Sequence, residues 1–360
     1  MSLKTRKFYL FLRLPLVLLL ALLAGANFIF GQTPTPKPET KPKPEKPEKT
    51  YTVKPPVKTP PPAVVYDFNF DTSEKAIIVD PKINISLCVQ GGNIKVNGWD
   101  RNEVRVFINE GSPVGFKVLQ KNRQTEKPVW IMVTAYDKKK NPGASEECIS
   151  GDEIEIDAPR TAVVNIKSQE SRTVIDSIGK VSIKNVVGNI MLNNIAGGID
   201  AVTYEGDVIV EKSSGAMNLQ SITGNVSVSN ASPSEIGDVF KAKTNNGAIS
   251  LQAIEHRQME INTNSGSIKF TGEILNNGQY TFGTQNGSVV LFIPVDSSCN
   301  ISAVYGYGTF NSEIPLKKVE KNPSTQAKSL TAIMGDGGAV LNFTTFNGSI
   351  NIRKKAEPEK

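Results

Sequence analysis

Glycines stand at positions 179, 188, 197, 206, 215 and 224, an unbroken spacing of nine. Apolar residues occupy the second and fourth places after most of them: Val181/Ile183, Ile190/Leu192, Val208/Val210, Met217/Leu219 and Val226/Val228. After Gly197 the pair is Ile199/Ala201. Residues two apart share one side of a strand. Each glycine therefore opens a short strand with one apolar face, and supplies left-handed backbone at the corner.

Farther along, a threonine precedes the glycine by three places. The corners read TYEG (203–206), TNNG (244–247), TNSG (263–266), TQNG (284–287) and TFNG (345–348). TFNS (309–312) puts Ser312 in the glycine place. Four and two residues before each threonine lie Phe240/Ala242, Met259/Ile261, Tyr280/Phe282, Tyr305/Tyr307 and Leu341/Phe343. Each unit is thus strand, corner, strand, second corner. It repeats every 18 residues from Gly188 to Gly206 to Gly224, then at 23, 19, 21, 25 and 36.

A meander has no need of the same corner chemistry on alternate turns. A coil does, because equivalent corners stack. The expectation is an all-β fold, a single-stranded parallel β-solenoid (β-helix) with coils of about 18–21 residues. Its structural corners are Gly188, Gly206, Gly224, Gly247, Gly266, Gly287 and Gly348. Stacked ~4.8 Å apart, Asn246, Asn286 and Asn347 are expected to form an amide ladder. One coil cannot offset the ordering of its own residues, so stability comes from stacked neighbours. Open ends are sticky edges. The less regular strands before residue 171 are expected to cap one end, and Arg353-Lys354-Lys355 to protect the other.

Ahead of this body lie a leader and a linker. Lys4, Arg6, Lys7 and Arg13 precede an apolar run from Leu16 to Leu23, followed by Ala24-Gly25-Ala26, the pattern of a signal peptide. Residues 1–31 are read as that signal peptide, or as an uncleaved anchor. Residues 32–63 hold half of the 22 prolines, alternating with lysine and glutamate, and read as a disordered, extended linker. Leader and linker together resemble TonB-type energy-coupling proteins. Then follow a β-rich capping segment over 64–170, the solenoid over 171–355 and a tail over 356–360. Residues 1–62 carry 11 Lys/Arg against 3 Asp/Glu, so the chain's net charge of +6 resides there. A near-neutral body disfavours nucleic acid as a partner. A membrane partner enters only through an uncleaved leader.

The ordered series of glycine strands and T-x-N-G corners resembles a bacterial family of adhesin-like β-solenoid domains of unknown function. GGNIKVNGWDRNEVRV (91–106), IEIDAPRTAVVNIKSQES (154–171) and NGSVVLFIP (286–294) fit it as well. The resemblance covers about 80 to 353. It implies an exported, non-enzymatic binding or scaffold protein, and brings no catalytic residues.

The residues support the same view. A calcium β-roll needs paired glycines and aspartates; here the nine-residue units carry one glycine, and Asp200 and Asp207 are isolated. Neither a metal nor any other cofactor is expected. Glu153, Glu155 and Asp157 alternate on one strand and read as a solvated face. His256, the only histidine, reads as a solvated loop residue. In an oxidising compartment Cys88 and Cys148 are candidates for a disulfide, leaving Cys299 free and buried. Lys317–Gly338 reads as a flexible insertion or a basic contact loop. The favoured function is an exported adhesin-like or envelope scaffold protein. Its partner would be a surface ligand, whether polysaccharide, cell wall or protein. The alternatives are a β-helical polysaccharide lyase or hydrolase and an envelope-tethered signalling or assembly component.

Overall fold

The computed structural model describes residues 73–135, 148–323 and 327–356. The leader, the linker and all but the first residue of the tail lie outside the described residues. Within them every regular element is a strand. Seven strands climb one parallel ladder: β7 (Val163–Glu170), β9 (Lys180–Val187), β11 (Ile199–Glu205), β13 (Met217–Thr223), β15 (Val239–Asn246), β17 (Gln258–Ser265) and β19 (Gln279–Asn286). Seven more climb a second: β8 (Thr173–Asp176), β10 (Ile190–Asn193), β12 (Val208–Ser214), β14 (Val226–Ser232), β16 (Ile249–Ile254), β18 (Ile268–Thr271) and β20 (Val289–Ile293). The apolar beat sets the register. Met217 pairs with Phe240, Phe240 with Met259 and Met259 with Tyr280, all buried. Val208, Val226, Ile249 and Ile268 do the same in the second ladder.

Chain order and stacking order part company at both ends. Near the N-terminus lie β1 (Ser73–Ile78), β2 (Asn84–Trp99), β3 (Glu103–Asn109), β4 (Val114–Lys121), β5 (Pro128–Ala135) and β6 (Ile149–Pro159). β2 is a whole coil, with one half in each ladder. It lies between β7 and β8 on one side and β5 and β6 on the other, parallel to all four. Parallel stacking therefore reaches back to residue 84. Antiparallel strands close this end, with β4 on β5, β3 on β6 and β1 on β3.

The C-terminal end repeats the device with β21 (Cys299–Tyr305), β22 (Phe310–Ser312), β23 (Leu316–Pro323), β24 (Lys328–Met334), β25 (Ala339–Asn347) and β26 (Ile350–Lys354). β25 lies between β19 and β21, and β26 between β20 and β22. The chain skips a place, builds the outer coil, then returns to fill the gap. The eleven coils among the described residues make a stack about 48 Å long at the usual interstrand spacing.

This crossing corrects three expectations. Arg353 and Lys354 do not close the far end, because β26 is inside the stack. The segment 317–338 is largely a hairpin of β23 and β24, which pairs antiparallel with β21 and forms the cap. Lysines at 317, 318 and 321, a register shift between Lys317 and Glu320, and Pro323 make β23 a poor template for edge pairing. The corner of the outer coil is Tyr305-Gly306-Tyr307-Gly308, not TFNS. Tyr305 pairs with Thr345 and occupies the buried threonine place, and Gly308 stacks on Gly348.

Candidate functional site

The solenoid has two long edges, and they are built differently. Along one, each of the seven connections at Gly188, Gly206, Gly224, Gly247, Gly266, Gly287 and Gly348 is two residues long: a glycine and one polar or small residue. The approach of successive coils dictates the glycine. A Cβ on Gly206, Gly224, Gly247, Gly266, Gly287 or Gly348 would overlap the carbonyl oxygen of the glycine one coil below. The threonine explains itself in the same geometry. The hydroxyls of Thr203, Ser221, Thr244, Thr263, Thr284 and Thr345 each donate to that glycine carbonyl, at 2.8–3.2 Å. All six are buried, so an unpaired hydroxyl there would be costly.

A second ladder runs through the residue after the glycine. Asn189 accepts the Asp207 N–H, Asp207 the Asn225 N–H and Asn225 the Ala248 N–H, at 2.7–2.9 Å. The expected amide ladder is reduced to one rung, Asn347 Nδ2 to Asn286 Oδ1 at 2.8 Å. Ser265 stands between Asn246 and Asn286 and breaks the column.

The second and third residues of each corner face solvent. Along the stack they begin with Val186/Val187 and Tyr204/Glu205 and continue with Ile222/Thr223 and Asn245/Asn246. Then come Asn264/Ser265, Gln285/Asn286 and Phe346/Asn347. Tyr307 follows, 81% exposed and packed edge-on against Phe346 at 5.4 Å.

The opposite edge absorbs all the variation in unit length. Its turns carry a column of left-handed residues, Ser177, Asn194, Lys212, Asn230 and Ala253, at φ 45–58°. Loops at 233–238, 272–278 and 294–298 lengthen three of them. The first two border an open groove of about 1150 Å³ with Glu235, Glu255, Glu273, Arg257 and Lys355 on its walls. Asp238 ties the first loop, accepting from the Ser234 and Glu235 N–H groups at 2.8 and 2.9 Å. Those bonds hold its carboxyl below the usual range.

His256 corrects another expectation: it is fully buried at this edge. Its Nε2 lies 2.9 Å from the Gly215 carbonyl oxygen, and its ring packs against Phe240 at 5.5 Å. The 233–238 loop swings outward, and His256 fills the space between the corners on either side of it. Burial lowers its pKa, against opposing pulls from Gly215, Asp238 and Glu255.

The acidic strand is not a free solvated face either. Glu155 pairs with Lys95 at 2.8 Å, and Asp157 accepts from Arg105 Nε at 2.8 Å and from its Nη2. Cys88 and Cys148 form a disulfide that staples β2 to the start of β6 across 60 residues of sequence. Cys299 is free and buried, its thiol pushed up to about 11 by burial. Among the described residues no three His, Cys, Asp or Glu side chains come together as a metal site.

A family model matches residues 78–353, the full extent of this stack. The chain belongs to the Toastrack DUF4097 family. The repeated corner just described is how this Toastrack chain spaces its coils. Three of the solved structures similar to it follow, each described as "putative". An adhesin from Parabacteroides merdae is 10% identical, with 79% of this chain and 96% of that chain covered, at a TM-score of 0.36. A lipid binding protein from Parabacteroides distasonis is 10% identical, with 79% and 97% covered, at 0.34. A cell adhesion protein from Clostridium sporogenes is 12% identical, with 79% and 100% covered, at 0.21. A comparison with curated proteins finds no match. At these identities and TM-scores none of the three passes its activity to this Toastrack chain.

Proposed function

We propose that this Toastrack protein is an exported, non-enzymatic β-solenoid that binds a ligand at the cell envelope or surface, in adhesion or as a scaffold. One observation carries the reading. The inward half of each glycine corner is consumed in holding the coils together, while the outward half is presented to solvent on a fixed spacing. A surface organised by the stack itself costs little further ordering when it binds. The Cys88–Cys148 disulfide supports an oxidising compartment.

The test has two arms. Protease shaving of intact cells is expected to remove the body, and a protein shielded until lysis would contradict surface exposure. Purified protein is expected to sediment with intact cells or isolated envelopes. Failure to sediment with either would remove the binding function.

A further inference from the structure

From Ile222 to Asn347 the corners of the glycine edge carry no charged side chain; at the outer coil the Lys328 ammonium lies 3.5 Å from the Gly308 carbonyl oxygen. The corners 222–225, 245–248, 264–267, 285–288, 346–349 and 306–309 contain no Asp, Glu, Lys, Arg or His. They occupy six successive places in the stack, about 24 Å at the ordinary interstrand spacing. The neighbouring surfaces differ. Lys241, Lys243 and Glu260 project from the adjoining ladder, and acidic side chains flank the groove on the other edge.

Within this strip the side-chain amides of Asn245, Asn246, Asn264 and Gln285 are exposed and make no hydrogen bond among the described residues. Each amide offers both donors and an acceptor. The Phe346–Tyr307 pair ends the strip with two exposed aromatic rings, and Tyr204, 58% exposed, stands just beyond the other end.

We propose that this strip binds an extended, uncharged polysaccharide chain. The inference rests on the binding function proposed above and names its ligand class. Sugar hydroxyls are donors and acceptors at once, as amides are. The C–H faces of pyranose rings suit aromatic platforms, which are apolar in body and carry a polar tip in tyrosine. Corners that carry no charge of their own offer an ionised polymer nothing to offset the desolvation of its carboxylates, and binding of a neutral chain depends little on salt. The glycine and threonine ladders fix the spacing of the amides beforehand, which limits the ordering cost for a long, hydroxyl-rich ligand.

The experiment uses the full chain with insoluble chitin, cellulose and starch granules, and alginate as the anionic control. Binding to at least one uncharged polymer is expected, unchanged between low and high salt, whereas any alginate held at low salt by the basic residues of 1–62 is expected to be released at high salt. Gln285→Glu combined with Asn264→Asp is expected to weaken it about tenfold or more, as is Phe346→Ala alone. Glu273→Gln in the groove and Lys243→Ala on the sheet are expected to leave it unchanged. If the strip variants bind as the parent does, the site lies elsewhere and only this inference falls. It also falls if cells or envelopes are bound but none of the three polymers is. Dimers abolished by the charge pair, without polysaccharide binding, would make the strip a self-association edge. Binding to nothing, cells included, sinks both readings.

Discussion

The two edges of the solenoid reverse the chain the same number of times and by opposite means. At the glycine edge the turn is two residues long and leaves no room for a Cβ. At the other edge, residues such as Lys212 and Ala253 adopt left-handed backbone at some strain, and loops of several residues are admitted. One edge fixes the pitch; the other takes up the slack. An insertion can enter this fold without disturbing the stack only on the second edge.

That contrast can be broken most directly at Gly287, whose backbone is not left-handed, so close approach alone demands glycine there. Gly287→Ala is expected to cost about 3 kcal/mol or more in urea unfolding, since the obstructing atom is a backbone oxygen. An unchanged midpoint would show that the coils can part. Thr263→Val keeps the shape and removes one hydroxyl from the ladder. Losing that bond to the Gly247 carbonyl is expected to cost about 1–2 kcal/mol.

Acid probes the other edge through His256. Its folded pKa is lowered by burial, whereas the unfolded chain titrates near the ordinary value of about 6.5. The unfolded state thus takes up the proton first. Stability from this group is complete above roughly pH 7 and declines as pH falls below about 6.5. Urea midpoints at successive pH values should show that decline, and His256→Leu should flatten it; identical profiles would remove the histidine from the account. Ala253→Gly is expected to gain up to about 1 kcal/mol by relieving left-handed strain. Least of all, two serines inserted after Ile236, in the exposed loop, should shift the midpoint by about 0.5 kcal/mol or less. A cost comparable to that at Gly287 would erase the distinction between the edges.

The middle of the stack was readable from the sequence because its chemistry is periodic. Glycine, a buried threonine (serine at 221) and the two apolar pairs recur in every coil from Gly206 to Gly287, and each has a packing reason to recur. The outer coil misleads because Thr309-Phe310-Asn311-Ser312 mimics the corner, while the true corner replaces threonine with Tyr305. The out-of-order placement of β2 and of β25–β26 leaves no periodic trace, since pairing across skipped places is settled by tertiary packing. In the sequence His256 sits in AIEHRQ, a stretch that reads as a loop between coils, where a histidine is expected to be solvated. What buries it is the outward swing of the 233–238 loop, which no local pattern reports. The hydrogen bonds of Asn189, Asp207 and Asn225 did leave a signal, a polar residue directly after the glycine.

The late return of β25 and β26 to a place inside the stack sets the timing of assembly. Synthesis delivers segments in chain order, yet the coil over 339–354 must enter between partners that precede it, β19–β20 and β21–β22. Until it arrives, the outer coil and its hairpin have nothing to rest on. The fold therefore has a keystone rather than a growing tip, and completion waits for its last coil to be delivered.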